Sequence, residues 1–125
     1  MQYGIDFLRD TSRTEEDQYE TTILKISIKG RLNISNAGEV GLLLETLING
    51  GLRKILVNME ELDYIDSTGI GTLVRLAKLI RSKNGEFCLL NVPPSINKVL
   101  KIVRLETFIN QFLSEQKAVD FLYNE

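Results

Sequence analysis

Apolar residues recur along this chain in two alternating rhythms. Ile23-Leu24-Lys25-Ile26-Ser27-Ile28 has the period-two spacing of a half-buried strand ending at Gly30, and Ile5, Phe7 and Leu8 mark a strand before it. Asn36 and Glu39 then have the spacing of a capping box, followed at helical intervals by Val40, Leu43, Leu44, Leu47 and Ile48, with Gly50-Gly51 as the stop. Ile55-Leu56-Val57 is a short unbroken apolar run, as expected of a third strand buried on both faces. A second helix carries Ile70, Leu73, Val74, Ala77 and Ile80, and ends before Asn84-Gly85. A fourth strand follows from Phe87 to Val92, and Pro93-Pro94-Ser95 opens a helix through Ile96, Val99, Leu100 and Val103. Phe108-Ile109 is expected as a short fifth strand, and Ser114 as the cap of a last helix through Ala118, Phe121 and Leu122.

Strands that alternate with helices predict an α/β domain: a mixed, largely parallel sheet of about five strands with about four helices packed against it. The first two strands supply an antiparallel or mixed edge. The 125 residues, 43% of them hydrophobic, suit one domain spanning 1–125 around one core. The polar stretch Asp10 to Glu20 has the composition of a flexible loop.

Charge and composition remove several classes of function. Fifteen basic and 17 acidic residues leave a formal charge of −2, and the cations are scattered, so direct nucleic-acid binding is not expected. No apolar run approaches the roughly 20 residues that span a bilayer, so membrane insertion is not expected. The opening Met1-Gln2-Tyr3-Gly4-Ile5-Asp6 lacks the basic and apolar regions of a signal peptide, which predicts a cytoplasmic protein. Cys88 is the only cysteine and sits in an apolar strand, where a small core residue is expected. The sequence contains no histidine, which removes Ser-His and Cys-His nucleophile pairs and nearly all structural zinc sites. No G-x-x-x-x-G-K-[ST] run is present to cradle a nucleotide, and no cofactor is expected.

Candidate chemistry concentrates in Leu62-Asp63-Tyr64-Ile65-Asp66-Ser67-Thr68-Gly69-Ile70-Gly71, between an apolar strand and a helix. Ser67 and Thr68 fall near a helix N-terminus, whose free N–H groups and dipole favour an added anion. One reading is a modifiable hydroxyl; the other is that Asp66 or Ser67 simply caps the helix. Gly69 and Gly71 either serve turn and packing geometry or let a partner backbone come close, with positive φ where needed. Tyr64 and Ile65 offer an apolar edge, although Ile65 also suits the core. Glu61, Asp63 and Asp66 form a carboxylate group too weak, without histidine or a cysteine nucleophile, to specify an enzyme.

The run Ile65-Asp66-Ser67-Thr68-Gly69-Ile70-Gly71 resembles the signature of the anti-sigma factor antagonists, a bacterial STAS-domain family, in which an apolar residue precedes Asp-Ser-Ser/Thr-Gly-apolar-Gly/Ala. The opening strand near Gly4-Ile5-Asp6, the strand end Gly30-Arg31-Leu32-Asn33 and Val92-Pro93-Pro94-Ser95 extend the resemblance over nearly the whole chain. It implies a STAS fold and a switchable binding protein. In the unphosphorylated form such a protein engages an anti-sigma factor that is also a serine kinase, and so releases a sigma factor. Phosphorylation then falls on Ser67, with Thr68 the nearest rival, and a metal-dependent serine phosphatase is the expected resetting partner. The partner surface is expected to include Asn33, Tyr64, Asp66, Ser67, Thr68, Gly69 and Ile70.

The chain departs from the family at three points: Asn33 stands where an aspartate is usual, keeping a capping oxygen without its charge; Arg104 stands before Leu105 where glycine is common; and the polar stretch Asp10 to Glu20 stands where a short turn is usual. A left-handed helix end at Arg104 is therefore expected to be strained or built differently. The alternative function is a STAS scaffold subunit of a transport or sensory complex.

Overall fold

Ile55, Leu56 and Val57 are fully buried because their strand, β3 (Lys54–Asn58), runs through the centre of the sheet with helices on both faces. The computed structural model describes residues 1–8 and 22–123. Its other strands are β1 (Gln2–Leu8), β2 (Ile23–Leu32), β4 (Leu62–Ile65), β5 (Glu86–Leu90) and β6 (Asn110–Phe112). Four helices occur among the described residues: α1 (Ala37–Asn49), α2 (Ser67–Ser82), α3 (Pro94–Ile102) and α4 (Glu115–Tyr123). The expected 10–20 loop lies outside the described residues.

The sheet order is β1-β2-β3-β5-β6, with β4 added against the end of β2. β1 pairs antiparallel with β2, and every other pairing is parallel. This is the expected mixed sheet with one antiparallel edge. β4 makes a sixth strand because the chain bends at Gly30, whose φ is +94°, so that β2 leaves β3 and continues beside Leu62, Tyr64 and Ile65. Glycine alone takes that backbone without strain.

Alternation along the strands feeds two cores. Leu24, Ile26, Ile28, Val57, Phe87 and Leu89 face α1, α2 and α3, meeting Val40, Leu44, Leu73, Leu76, Ile96 and Leu100. Ile23, Leu56, Cys88 and Leu90 face the opposite way, toward Ala118 and Leu122 of α4. Cys88 is thus a core residue, as expected.

Two local expectations fail. Asn36 does not cap α1 through its side chain; its Oδ1 accepts from the Asn33 N–H at 3.0 Å and its Nδ2 donates to the Arg31 carbonyl at 2.9 Å. Asn side chains compete for backbone in this way wherever a turn is tight. Phe108-Ile109 is not a strand either: Leu105–Thr107 forms a 3-10 turn, Ile109 is buried beneath it, and β6 begins at Asn110. Ser114 behaves as expected, with its Oγ accepting from the Lys117 N–H at 3.4 Å.

Candidate functional site

Parallel pairing of β2 with β4 sets Arg31 opposite Tyr64 and Leu32 opposite Ile65, so both strands discharge their carboxyl ends at one edge. Loops following such strand ends are the usual place for recognition in α/β folds. Here the loop Asn33–Asn36 and the turn Ile65–Ser67 meet, although they are more than 30 positions apart in the chain.

Asp66 joins them. It takes extended backbone, φ −106° and ψ −177°, immediately before α2. Its Oδ1 accepts from the Gly69 N–H at 2.9 Å, and its Oδ2 accepts from the Ile34 N–H at 2.9 Å. The Asp66 N–H donates back to the Leu32 carbonyl at 3.2 Å. The Gly69 bond above all holds the Asp66 carboxyl below its ordinary value of 3.8; desolvation, the next largest effect, opposes it, and the bonds from Ile34 and neighbouring amides add smaller lowering contributions. Asp66 is therefore the cap of α2 and stays ionised at neutral pH.

Ser67 is released from that duty. It is the first residue of α2 and is exposed, as is Thr68. Thr68 contributes its carbonyl to the Thr72 hydroxyl at 2.9 Å, inside the helix. Ser67 stands at the positive end of a 16-residue helix, next to a carboxylate already committed to backbone N–H groups.

The two motif glycines have different roles. A Cβ on Gly69 would lie 2.6 Å from the Leu32 carbonyl oxygen and 2.8 Å from Ile65 Cγ1, so Gly69 lets α2 rest directly on β2. A Cβ on Gly71 would meet nothing within 4 Å. Neither has positive φ; among the described residues, the glycines that do are Gly30 and Gly51. Of the two expected uses of these glycines, the geometry at Gly69 is that of packing, a close contact between α2 and β2, with no positive φ required.

Ile65 is core at 3% exposure, Ile70 is buried at 9%, and Tyr64 stands out at 46% with the Arg31 guanidinium 5.3 Å from its ring centroid. Asn33 uses Oδ1 to accept from the Ser35 N–H at 3.0 Å, so the departure from aspartate leaves a neutral turn. The pattern did not single out Ile34, the residue Asp66 grips, which is 76% exposed. Its one sequence signal is an isoleucine isolated among Asn33, Ser35 and Asn36.

Catalytic alternatives find little support in this geometry. Both Asp66 oxygens are taken, Glu61 and Asp63 are exposed, and burial, with a smaller effect from Glu86, pushes the Cys88 thiol up to about 12. No helix among the described residues is long and apolar enough to cross a membrane.

The STAS domain model matches residues 15–118. The anti-sigma-B factor antagonist of Staphylococcus aureus is 28% identical over 97 residues, covering 78% of this chain and 85% of that protein. Among solved structures, the anti-sigma factor antagonist SpoIIAA in its unphosphorylated form superposes with a TM-score of 0.69 at 21% identity, covering 98% of this chain and all of that one. The phosphorylated form of SpoIIAA, a Bacillus cell fate determinant, gives a TM-score of 0.64 at 23% identity over 93% of this chain and 98% of that one.

Proposed function

This chain belongs to the STAS-domain family, and we propose that it is an anti-sigma factor antagonist whose binding is switched off by phosphorylation of Ser67. Its partner in the unphosphorylated form is an anti-sigma factor with serine kinase activity, and docking releases the sigma factor that this partner holds. A metal-dependent serine phosphatase restores the binding form. The chain works as a binding surface and carries out no catalysis itself. The names of the curated relatives point to the same class.

The observation that carries the reading is the division of labour between Asp66 and Ser67. Because Asp66 caps α2, Ser67 stays exposed at the helix N-terminus. A phosphoryl group there adds about −1.5 to −2 charge, which the helix end accommodates within the folded domain. The same charge sits beside ionised Asp66, on a surface that must lose water to dock. Like-charge repulsion and desolvation then act on binding and spare the fold. Tyr64 and Ile34 supply exposed apolar area next to the hydroxyl, Asn33 shapes the loop, and Gly69 and Ile70 hold α2 at the height that presents Ser67.

Incubation with the cognate kinase and ATP, followed by peptide mass spectrometry, tests the site. One phosphate on Ser67 is expected. Phosphate on Thr68 with Ser67 untouched would contradict the assignment.

A further inference from the structure

A groove of about 260 Å³ runs alongside α2, starting at Ile70 in the turn that follows Ser67. One wall is a single stripe of that helix, Ile70, Val74 and Lys78, at four-residue spacing. The other wall is the end of α3 and the 3-10 turn, with Val103, Leu105 and Phe108. Two adjacent apolar residues stand exposed where α3 ends, Ile102 at 82% and Val103 at 52%. Exposed apolar surface concentrated in this way marks an interaction site more often than chance.

The charge of the lining favours an acidic occupant. The charged groups lining the groove are Lys78 and Arg104, both cations. Lys101 stands exposed on the last turn of α3, next to Ile102. Lys78 holds its charge 5.5 Å from the Phe108 ring centroid, which places positive potential at the groove end, while Arg81 lies 5.4 Å from the same ring but does not line the groove. Arg81 is neutralised by Glu86 at 2.8 Å, whereas Lys78 has no ion pair among the described residues. The nearest acid along the turn, Glu106, does not line the groove. On a chain of net charge −2, this cationic rim over an apolar floor is a local reversal.

We propose that the groove receives an amphipathic helix of the anti-sigma factor, with its apolar face on Ile70, Val74 and Val103 and its acidic flank against Lys78 and Arg104. This rests on the partner-binding reading above and extends it: Ser67 sits at the start of the same helix, so one partner can cover both. Helix-in-groove docking uses apolar anchors at i, i+3 and i+4, and complementary charge sets orientation and on-rate.

The test combines affinity with mapping. Purified cognate anti-sigma factor is titrated against unphosphorylated wild type, Lys78→Glu, Val103→Ser and Ser67→Asp, each checked by circular dichroism. Lys78→Glu and Val103→Ser should each weaken binding by about tenfold or more, with Lys78→Glu acting through the association rate and losing its effect at high salt. A photo-crosslinking residue at position 103 should attach to an acidic amphipathic helix of the partner, while one at exposed Leu113 should not. Wild-type affinity in both groove variants, or crosslinks to a second copy of this chain or to a basic segment, would overturn the groove proposal. In that case weakened binding by Ser67→Asp would still uphold the switch. Absence of binding by the wild type would overturn both.

Discussion

The Asp66 carboxylate grips the backbone of Ile34, 32 positions earlier in the chain, through a 2.9 Å hydrogen bond. One side chain therefore fixes both the helix that carries Ser67 and the loop that exposes Ile34.

Replacing Asp66 by asparagine keeps an oxygen for Gly69 but sets an amide donor against the Ile34 N–H. Asp66→Asn should leave α2 formed, raise amide exchange at Ile34 and weaken partner binding. The acid dependence has a definite sign. The folded-state value is depressed, so ionised Asp66 favours folding above its ordinary value of 3.8, and that contribution disappears as pH falls through the lower folded value. The stability gap between wild type and Asp66→Asn should close below pH 3.8, as followed by urea denaturation at a series of pH values.

Gly69→Ala and Gly71→Ala should move stability in opposite directions. The first drives a methyl group into the Leu32 carbonyl and Ile65, costing about 1–3 kcal/mol as overpacking does. The second meets open space on a helix and should add about 0.5–1 kcal/mol. Thermal melts of the two variants check the pair. Equal effects would show that α2 does not rest on β2 through Gly69.

Arg104 has φ +57° and ψ 38°, the left-handed conformation that costs a non-glycine residue about 1–2 kcal/mol. Part of that gain returns as glycine entropy in the unfolded chain, so Arg104→Gly should raise stability by about 0.5–1 kcal/mol net. Denaturant midpoints at unchanged slope measure it.

Cys88 should resist alkylation at pH 8 in the folded protein and react freely in denaturant, because burial raises its thiol to about 12. Above the ordinary value of 9.0 the unfolded thiol ionises while the folded one does not, so this group lowers stability as pH rises between them. Cys88→Ala should flatten that alkaline decline in pH-dependent melts.

Much of this was legible in the sequence because packing and pattern agree. Ile55-Leu56-Val57 reads as a buried strand since both faces are covered, and Leu73, Ala77 and Ile80 read as a helix since one stripe is buried. The motif Asp66-Ser67-Thr68-Gly69 marked the start of α2. Elements set by long-range geometry were hidden. β4 is four residues with exposed Asp63 and Tyr64, so its strand identity comes only from pairing with the bent end of β2. β6 lies two residues beyond the expected Phe108 because a 3-10 turn buries Leu105 and Ile109 first. Asn36 has the spacing of a cap, yet the loop it stitches offered nearer partners. The Asp66–Ile34 bond has no local signal, since its partner is a backbone group in another segment.

Charge on Ser67 is expected to control binding and to leave the fold intact. Purified phosphorylated and unphosphorylated protein should be titrated calorimetrically against the cognate anti-sigma factor, with circular dichroism and melting recorded for both. Near-identical spectra, a folded phosphorylated form and at least about tenfold weaker binding by it are expected, with Ser67→Ala binding like the unphosphorylated protein. Equal affinity of the two forms would contradict this expectation.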